Sequence, residues 1–496
     1  MPVVHLVNII PGVAKEDLNH PPLGLLYVGT SLAGAGYDVK IHQILPEDIE
    51  SLSNEIIKDH PLFVGFSVTT GLSSFHSATM SKLLKSRDPA IRVVWGGWHP
   101  SLATLQCLKE EYIDIVCIGE GERTAVELAD FLQRGSSLDS VRSIGYKVQS
   151  VARITRPRQL EDNIDVFDFD PSILNYRPFL IRNNDKLTTS FFSSRGCPFD
   201  CAFCCTPSLC KRRWRAHSVD YIVRHLVDLK NRFGINDVYF SDDNFFVDRA
   251  RALSTIRRLR GEGISCSTLD VRLDSLNKNM LDELVRFGAT GIFFGWESGS
   301  DRLLTLIHKR ITREQIISSA NLLSKYPEIA VWGSGIVALP TETRSDYNST
   351  VEMALMLLGK IPKGTISLFR YMPLPGTEAL DWAVRDGFRM PEDTIDWARV
   401  DSRGPSYDVT WIPWMTNKDK HNTRMTQEYM RNVIRKIDPN GNKLFNTVQT
   451  VFNGVGSLRV RNQTFYLPID YDLYSAFRKT WEFARNAKDL IATTAR

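Results

Sequence analysis

Ser194-Arg195-Gly196-Cys197-Pro198-Phe199-Asp200-Cys201-Ala202-Phe203-Cys204 is the stretch on which the reading of this chain turns. Cys197, Cys201 and Cys204 stand in C-x-x-x-C-x-x-C spacing on a loop that follows a strand-like run at 188–193. A 4Fe-4S cluster needs one thiolate per iron to be closed, so three thiolates leave one iron open to a small-molecule ligand. An amino acid that chelates this iron through its amine and carboxylate brings its sulfonium against the cluster, where one-electron reduction cleaves a carbon–sulfur bond. The cofactor performs that step and the protein positions it. Zinc is the competing occupant, with Cys205 or Cys210 as a fourth ligand. Five of the eight cysteines fall between Cys197 and Cys210, a clustering that serves metal better than a disulfide framework.

Downstream of the loop, strand-like runs at 237–241, 265–269, 291–294, 330–339 and 365–371 alternate with helical stretches. Ser218 predicts a helix cap, with Ile222, Leu226, Leu229 and Phe233 on one face and Gly234 at the end. Thr312 and Gln315 predict a capping box. Six strand–helix repeats predict a partial (β/α)6 barrel over 188–390. Upstream, Val/Ile-rich runs at 3–10, 38–42, 62–67, 92–95 and 113–118 have the rhythm of a doubly wound α/β domain over 1–145. Ligands of such sheets bind beyond the carboxyl ends of the strands. The turns there, Thr69-Thr70-Gly71, Gly96-Gly97-Trp98 and Gly119-Glu120-Gly121, are rich in small residues that let a large cofactor approach the backbone. Each alone reads as well as a tight turn. Residues 146–187 lose periodicity and carry Pro157, Pro171 and Pro178, which predicts a linker. Beyond 390 the pattern is mixed, with Trp397, Trp411, Trp414 and Trp481, and predicts a small substrate-facing or packing region over 391–496.

Bulk properties bound the answer. At 496 residues the chain is long enough for two or three domains, and 43% hydrophobic with 24% charged residues is a globular composition. A net charge of +4 gives no reason to invoke nucleic acid or an anionic membrane. The first residues lack a basic export signal, and no run approaches the roughly 20 apolar residues of a membrane helix. A cytoplasmic protein is expected.

The cysteine run, with Phe203 before the third ligand, resembles the radical S-adenosylmethionine superfamily. That resemblance implies cluster ligation by Cys197, Cys201 and Cys204. It implies contacts to S-adenosylmethionine from Asp242 and Asp243 at the amino group and Glu297, in Gly295-Trp296-Glu297-Ser298-Gly299-Ser300, at the ribose. Ile336 and Ala338 would flank adenine through the backbone. Arg272 could meet the carboxylate of the methionine moiety, with a salt bridge to Asp270 or Asp274 as the alternative. His20-Pro21-Pro22-Leu23-Gly24-Leu25, Gly96-Gly97-Trp98-His99-Pro100, Gly119-Glu120-Gly121-Glu122-Arg123-Thr124 and Tyr371-Met372-Pro373-Leu374-Pro375-Gly376-Thr377 resemble the cobalamin-binding branch of that superfamily, over residues 1 to about 380.

The branch implies a Rossmann-like cobalamin domain in which Thr69, Thr70, Gly71 and Leu72 lie under the lower face, and Gly96, Gly97, Trp98, Gly119, Glu120 and Gly121 line the crevice. The D-x-H-x-x-G signature of a lower axial histidine is absent, since Asp59-His60 lacks its spacing. The implied activity is methylation of an unactivated carbon through a deoxyadenosyl radical and methylcobalamin. Oxidative cyclisation or rearrangement with the same cofactors, a degenerate cobalamin domain and a catalytically silent cluster module are the rivals. A methylthiotransferase fits less well, because the first domain offers only Cys107 and Cys117. The substrate class is open among small molecules, lipids and peptides. A flavodoxin- or ferredoxin-type reductant is the implied partner, steered by Lys211, Arg212, Arg213 and Arg215; a solvated basic face is the alternative.

Overall fold

The computed structural model describes residues 1–11, 20–183, 185–401, 409–437, 442–466 and 468–494. Its first sheet contains β1 (Val3–Ile9), β2 (Asp38–Ile44), β3 (Phe63–Ser67), β4 (Val93–Gly96), β5 (Ile115–Cys117), β6 (Ile144–Val148) and β7 (Val151–Ile154). They are ordered β2-β1-β3-β4-β5-β6-β7. The first five are parallel, and β6 and β7 add an antiparallel hairpin. Side chains alternate between faces with period two. Leu6 and Val94 pack under the helices Leu23–Gly34 and Glu122–Arg134, while Val7, Val64, Val93 and Trp95 pack under Ile49–Lys58 and Leu72–Arg87. Burial on both faces explains why these strands read as nearly continuous apolar runs. The hairpin straddles residue 145 and carries the sheet into the stretch read as a linker.

The second half begins with β8 (Ile181–Asn183) and β9 (Lys186–Phe191). The short strands β10 (Ser194–Arg195) and β11 (Arg215–Ala216) pair with each other. Then follow β12 (Asp237–Phe240), β13 (Ser265–Asp270), β14 (Gly291–Glu297), β15 (Ala330–Val337) and β16 (Gly364–Arg370). The sheet order is β16-β15-β14-β13-β12-β9-β8, six parallel strands with β8 as an antiparallel edge. This is the expected partial barrel, with strand ends within three residues of the sequence reading. Ser218 accepts from the Tyr221 amide at the start of Val219–Phe233, and Gly234 ends that helix in the left-handed region. Thr312 and Gln315 form the predicted capping box.

The stretch between the halves lays an aromatic wedge between them. Phe169 packs 5.6 Å from Tyr27 of the first half and 5.4 Å from Phe191 of the barrel, and Tyr176 shares a 2.8 Å hydrogen bond with Thr189. Both halves therefore share one continuous core. Beyond residue 400 the described residues form the helices Asn417–Glu428, Lys443–Asn462 and Ile469–Thr494, with a short π-helical turn at Tyr429–Val433. No helix among the described residues is long and apolar enough to cross a membrane.

Candidate functional site

The cluster loop leaves β9 and returns through the β10–β11 pair, which joins Ser194 to Ala216 and Arg195 to Arg215. Gly196 turns the chain at φ +85°. A Cβ there would lie 2.3 Å from the Arg213 carbonyl and 2.8 Å from Cys210 Cβ, so no side chain fits. The Cys210 thiol is occupied with the loop itself, 3.5 Å from both the amide nitrogen and the carbonyl oxygen of Cys197. Cys205 and Cys210 are buried, as are Cys107, Cys117 and Cys266; only Cys197, Cys201 and Cys204 are half-open. The three thiols that the spacing singles out are thus the three that a bound group can reach. Burial pushes all three thiols up, Cys197 to about 11, where the charges of Asp243, Cys201 and Cys204 add to the effect. Thiolates in this setting need a metal to hold them deprotonated, and three thiolates from one loop match the donor set of an open 4Fe-4S cluster.

The S-adenosylmethionine candidates divide by location. Asp242 is buried and accepts from the amides and hydroxyls of both Ser193 and Ser194 at 2.5–3.2 Å. Asp243 accepts from the Gly196 amide at 3.0 Å and the Thr206 hydroxyl at 3.1 Å. Both brace the neck of the cluster loop, and both border the cavity described below.

Glu297 is buried at φ +58°, just past an irregularity in the β14–β15 ladder, with its carboxylate 2.9 Å from Lys309 Nζ. Arg272 adopts the alternative reading. It binds Asp274 twice at 3.1 Å, donates to the Lys309 carbonyl at 2.8 Å, and lies 3.8 Å over the ring of Phe199 in the cluster loop. Lys309, Glu297 and Arg272 all lie close enough to Cys201 to act on its thiol. Ala338, at φ +63°, gives its amide to Glu342 at 2.6 Å and accepts from Trp414 Nε1 at 3.3 Å, while Ile336 packs against the apolar cluster around Trp397. The Ala338 amide and carbonyl are therefore both engaged within the protein.

One cavity of about 620 Å³ joins the carboxyl ends of the first sheet to the neck of the cluster loop. Gly96, Gly97, Trp98, Gly119, Glu120 and Gly121 border it. Gly24 and Gly119 border open space, with nothing within 4 Å of where a Cβ would lie. Gly65 on β3 keeps the crevice floor low, where the Leu6 side chain leaves no room for a Cβ. A Rossmann crevice floored by glycines accepts a large cofactor tail.

Of the loop 69–72, only Thr69 reaches the cavity. Thr70 is buried against His99 Nδ1 at 3.1 Å; a Cβ on Gly71 would strike the Asp401 carboxylate at 2.2 Å, and the Leu72 amide donates to that carboxylate at 2.8 Å. That loop packs against the C-terminal region, with Thr69 alone of the four at the cavity. From the barrel side, Tyr239 and Asp270 also border the cavity. Burial, with the charges of Asp242 and Asp243, pushes Asp270 up to about 8. Sequence reasoning treated Asp270 only as a partner for Arg272, and it passed over Lys309, which sits in the outwardly unremarkable run His308-Lys309-Arg310.

The basic run is also redistributed. Arg215 is buried and holds Glu120 with two hydrogen bonds at 2.6 and 3.0 Å, so it is no docking residue. Arg212 lies 3.2 Å from Asp200 and Arg213 pairs with Asp162, while Lys211 is exposed.

Comparison with known proteins agrees with this geometry. Residues 10–129 match the B12 binding domain and residues 191–354 match the Radical SAM superfamily. An uncharacterized methyltransferase of Pyrococcus horikoshii is 32% identical over 393 residues, which cover 78% of this chain and 82% of that protein. An anaerobic magnesium-protoporphyrin IX monomethyl ester cyclase of Synechocystis is 26% identical over 307 residues, 60% of each chain. The radical S-adenosylmethionine methyltransferase TsrM of Kitasatospora setae, solved with cobalamin and a 4Fe-4S cluster, has the same fold. It superimposes with a TM-score of 0.65 at 15% identity, over 97% of this chain and 100% of that one. The chain belongs to the cobalamin-dependent radical S-adenosylmethionine methyltransferase family, and its cofactors are a 4Fe-4S cluster, S-adenosylmethionine and cobalamin.

Proposed function

We propose that the protein transfers a methyl group to an unactivated carbon of its substrate. The observation that carries this reading is the single cavity bordered at once by the crevice of the first sheet and by Gly196, Asp242 and Asp243 of the cluster loop neck. When bound, the cofactors supply the electron that cleaves S-adenosylmethionine and the methyl group that the substrate receives. The chain's own residues supply position. Cys197, Cys201 and Cys204 hold the cluster; Asp242 and Asp243 fix the loop that carries it; and Glu297, set by Lys309, accepts from ribose hydroxyls. Gly24, Gly65, Gly96, Gly97 and Gly119 leave the crevice open for cobalamin. Asp270 borders the cavity beside Tyr239, and burial shifts it toward its protonated, hydrogen-bond-donating form. A flavodoxin- or ferredoxin-type reductant approaches the face carrying Lys211, Arg212 and Arg213.

Anaerobic turnover with methyl-labelled S-adenosylmethionine tests the reading. Methyl transfer yields S-adenosylhomocysteine together with deoxyadenosine and a labelled product. The cyclase relatives favour a second reading, oxidative ring closure with the same cofactors. Deoxyadenosine without S-adenosylhomocysteine would establish that outcome and overturn the first.

A further inference from the structure

β10 and β11 set Arg195 and Arg215 directly opposite each other at the neck of the cluster loop. Two guanidinium ions in register on a two-stranded ladder repel, and Arg215 is buried with Arg195 half-buried beside it, which would make the neck costly to form. The carboxylates that neutralise them come from the other half of the molecule. Arg195 Nη1 lies 2.6 Å from Glu122 Oε1 and 3.6 Å from Glu120 Oε1; Arg215 grips Glu120 at 2.6 and 3.0 Å and the Glu161 carbonyl at 2.9 Å. The side chains of Arg215 and Glu122 are 5% and 4% exposed and those of Arg195 and Glu120 are 15% and 23%, so two cations and two anions form a largely desolvated network whose Glu120 end is half-open. The Arg195 guanidinium is fixed further by the rings of Tyr27 at 4.7 Å and Phe167 at 5.4 Å. Glu122 opens the helix Glu122–Arg134, where the helix dipole favours its charge. Glu120 and Glu122 thus belong to the glycine-bearing turn that borders the cobalamin crevice, and Arg195 stands two residues before Cys197.

We propose that Glu120, Glu122, Arg195 and Arg215 are positioning residues that set the separation and orientation of the cobalamin relative to the cluster. The network is a fixed spacer between the two cofactors, in addition to an ordinary domain contact. Bidentate and stacked guanidinium geometry specifies direction as well as distance, which a solvent-exposed lysine pair does not. This inference rests on cobalamin lying against the 119–122 turn, and it is independent of whether the reaction ends in methylation or ring closure.

The test uses the full chain loaded with both cofactors. Glu122→Gln removes one anion and leaves the glycine turn intact. Iron and cobalamin contents are measured first, then the magnetic interaction between reduced cluster and cob(II)alamin is read by pulsed electron paramagnetic resonance. The wild type is expected to show one well-defined interaction. Glu122→Gln is expected to keep both cofactors, to show a broadened or weakened interaction, and to form substrate-derived product at least about tenfold less per deoxyadenosine released. If Glu122→Gln does not fold, Arg215→Lys, which keeps the charge and gives up the bidentate grip on Glu120, reads the same quantities. An unchanged interaction with both cofactors bound overturns the proposal. So does loss of cobalamin alone with the cluster intact, because the turn would then be a binding element and not a spacer. Wild-type protein that takes up no cobalamin would instead overturn the cofactor assignment itself.

Discussion

Asp242 shows how a single side chain can be recognised in sequence while its partners within the protein stay hidden. Its place at the end of β12 suggested contact with a bound ligand; in the fold it satisfies two amides and two hydroxyls of Ser193 and Ser194. Charge-assisted hydrogen bonds of this kind contribute about 1.5–3 kcal/mol each, and a buried group left unpaired costs a similar amount. Asp242→Ala is therefore expected to lower stability by at least about 2 kcal/mol in chemical unfolding, and to reduce iron content because the loop neck loosens. Asp270 makes a prediction with a definite sign. Its folded-state pKa, about 8, is raised above the ordinary aspartate value, so its favourable contribution is fully present below the unfolded pKa and is lost as pH rises through about 8. Asp270→Asn is expected to melt higher than wild type above pH 8, with the difference closing below pH 4; an equal difference at both ends would refute the assignment. The cysteine spacing was legible because covalent metal chemistry fixes residue type and interval together. Lys309 was not, since nothing local distinguishes a buried lysine from an exposed one until Glu297 is placed 2.9 Å away.

At the scale of elements, both sheets were readable from short, nearly continuous apolar runs separated by helical stretches, because parallel strands covered by helices leave little choice of residue. The hairpin β6–β7 escaped notice. The side chains of β7 are exposed throughout, and its four residues, Val151 to Ile154, are too short a run at a sheet edge to announce a strand by periodicity. The loop 69–72 escaped for a different reason. The helix Leu72–Arg87 is capped at its first residue by Asp401, 329 positions away, and no local pattern announces such a partner. Gly196 is the element-scale feature most open to test. Gly196→Ala must move Arg213 or Cys210 and force a left-handed backbone on a residue with a side chain, at a cost of roughly 1–3 kcal/mol. Its expected signature is a cluster content well below wild type at nearly unchanged helix content by circular dichroism.

At the scale of the whole molecule, three sets of contacts converge on the join between the halves. The aromatic wedge of Phe169 and Tyr176 joins the halves, the arginine–glutamate network aligns them, and the C-terminal segment returns to the first domain. Trp397 is fully buried and donates to Gln106 at 2.9 Å, and Thr394 bonds to Tyr112 at 2.7 Å. Trp397→Ala is expected to cost about 3–5 kcal/mol, measured by calorimetry, and to weaken cofactor retention in the first domain along with stability. This convergence was beyond sequence reading, since the tryptophans beyond 390 gave no sign of which surface they would meet. The central claim is that one chain houses both cofactors against one cavity. Anaerobic reconstitution of the full chain with iron, sulfide and hydroxocobalamin, followed by removal of unbound cofactor and optical and metal analysis, tests it most directly. The account predicts one 4Fe-4S cluster and one cobalamin retained per chain; a loaded cluster with no retained cobalamin would contradict it.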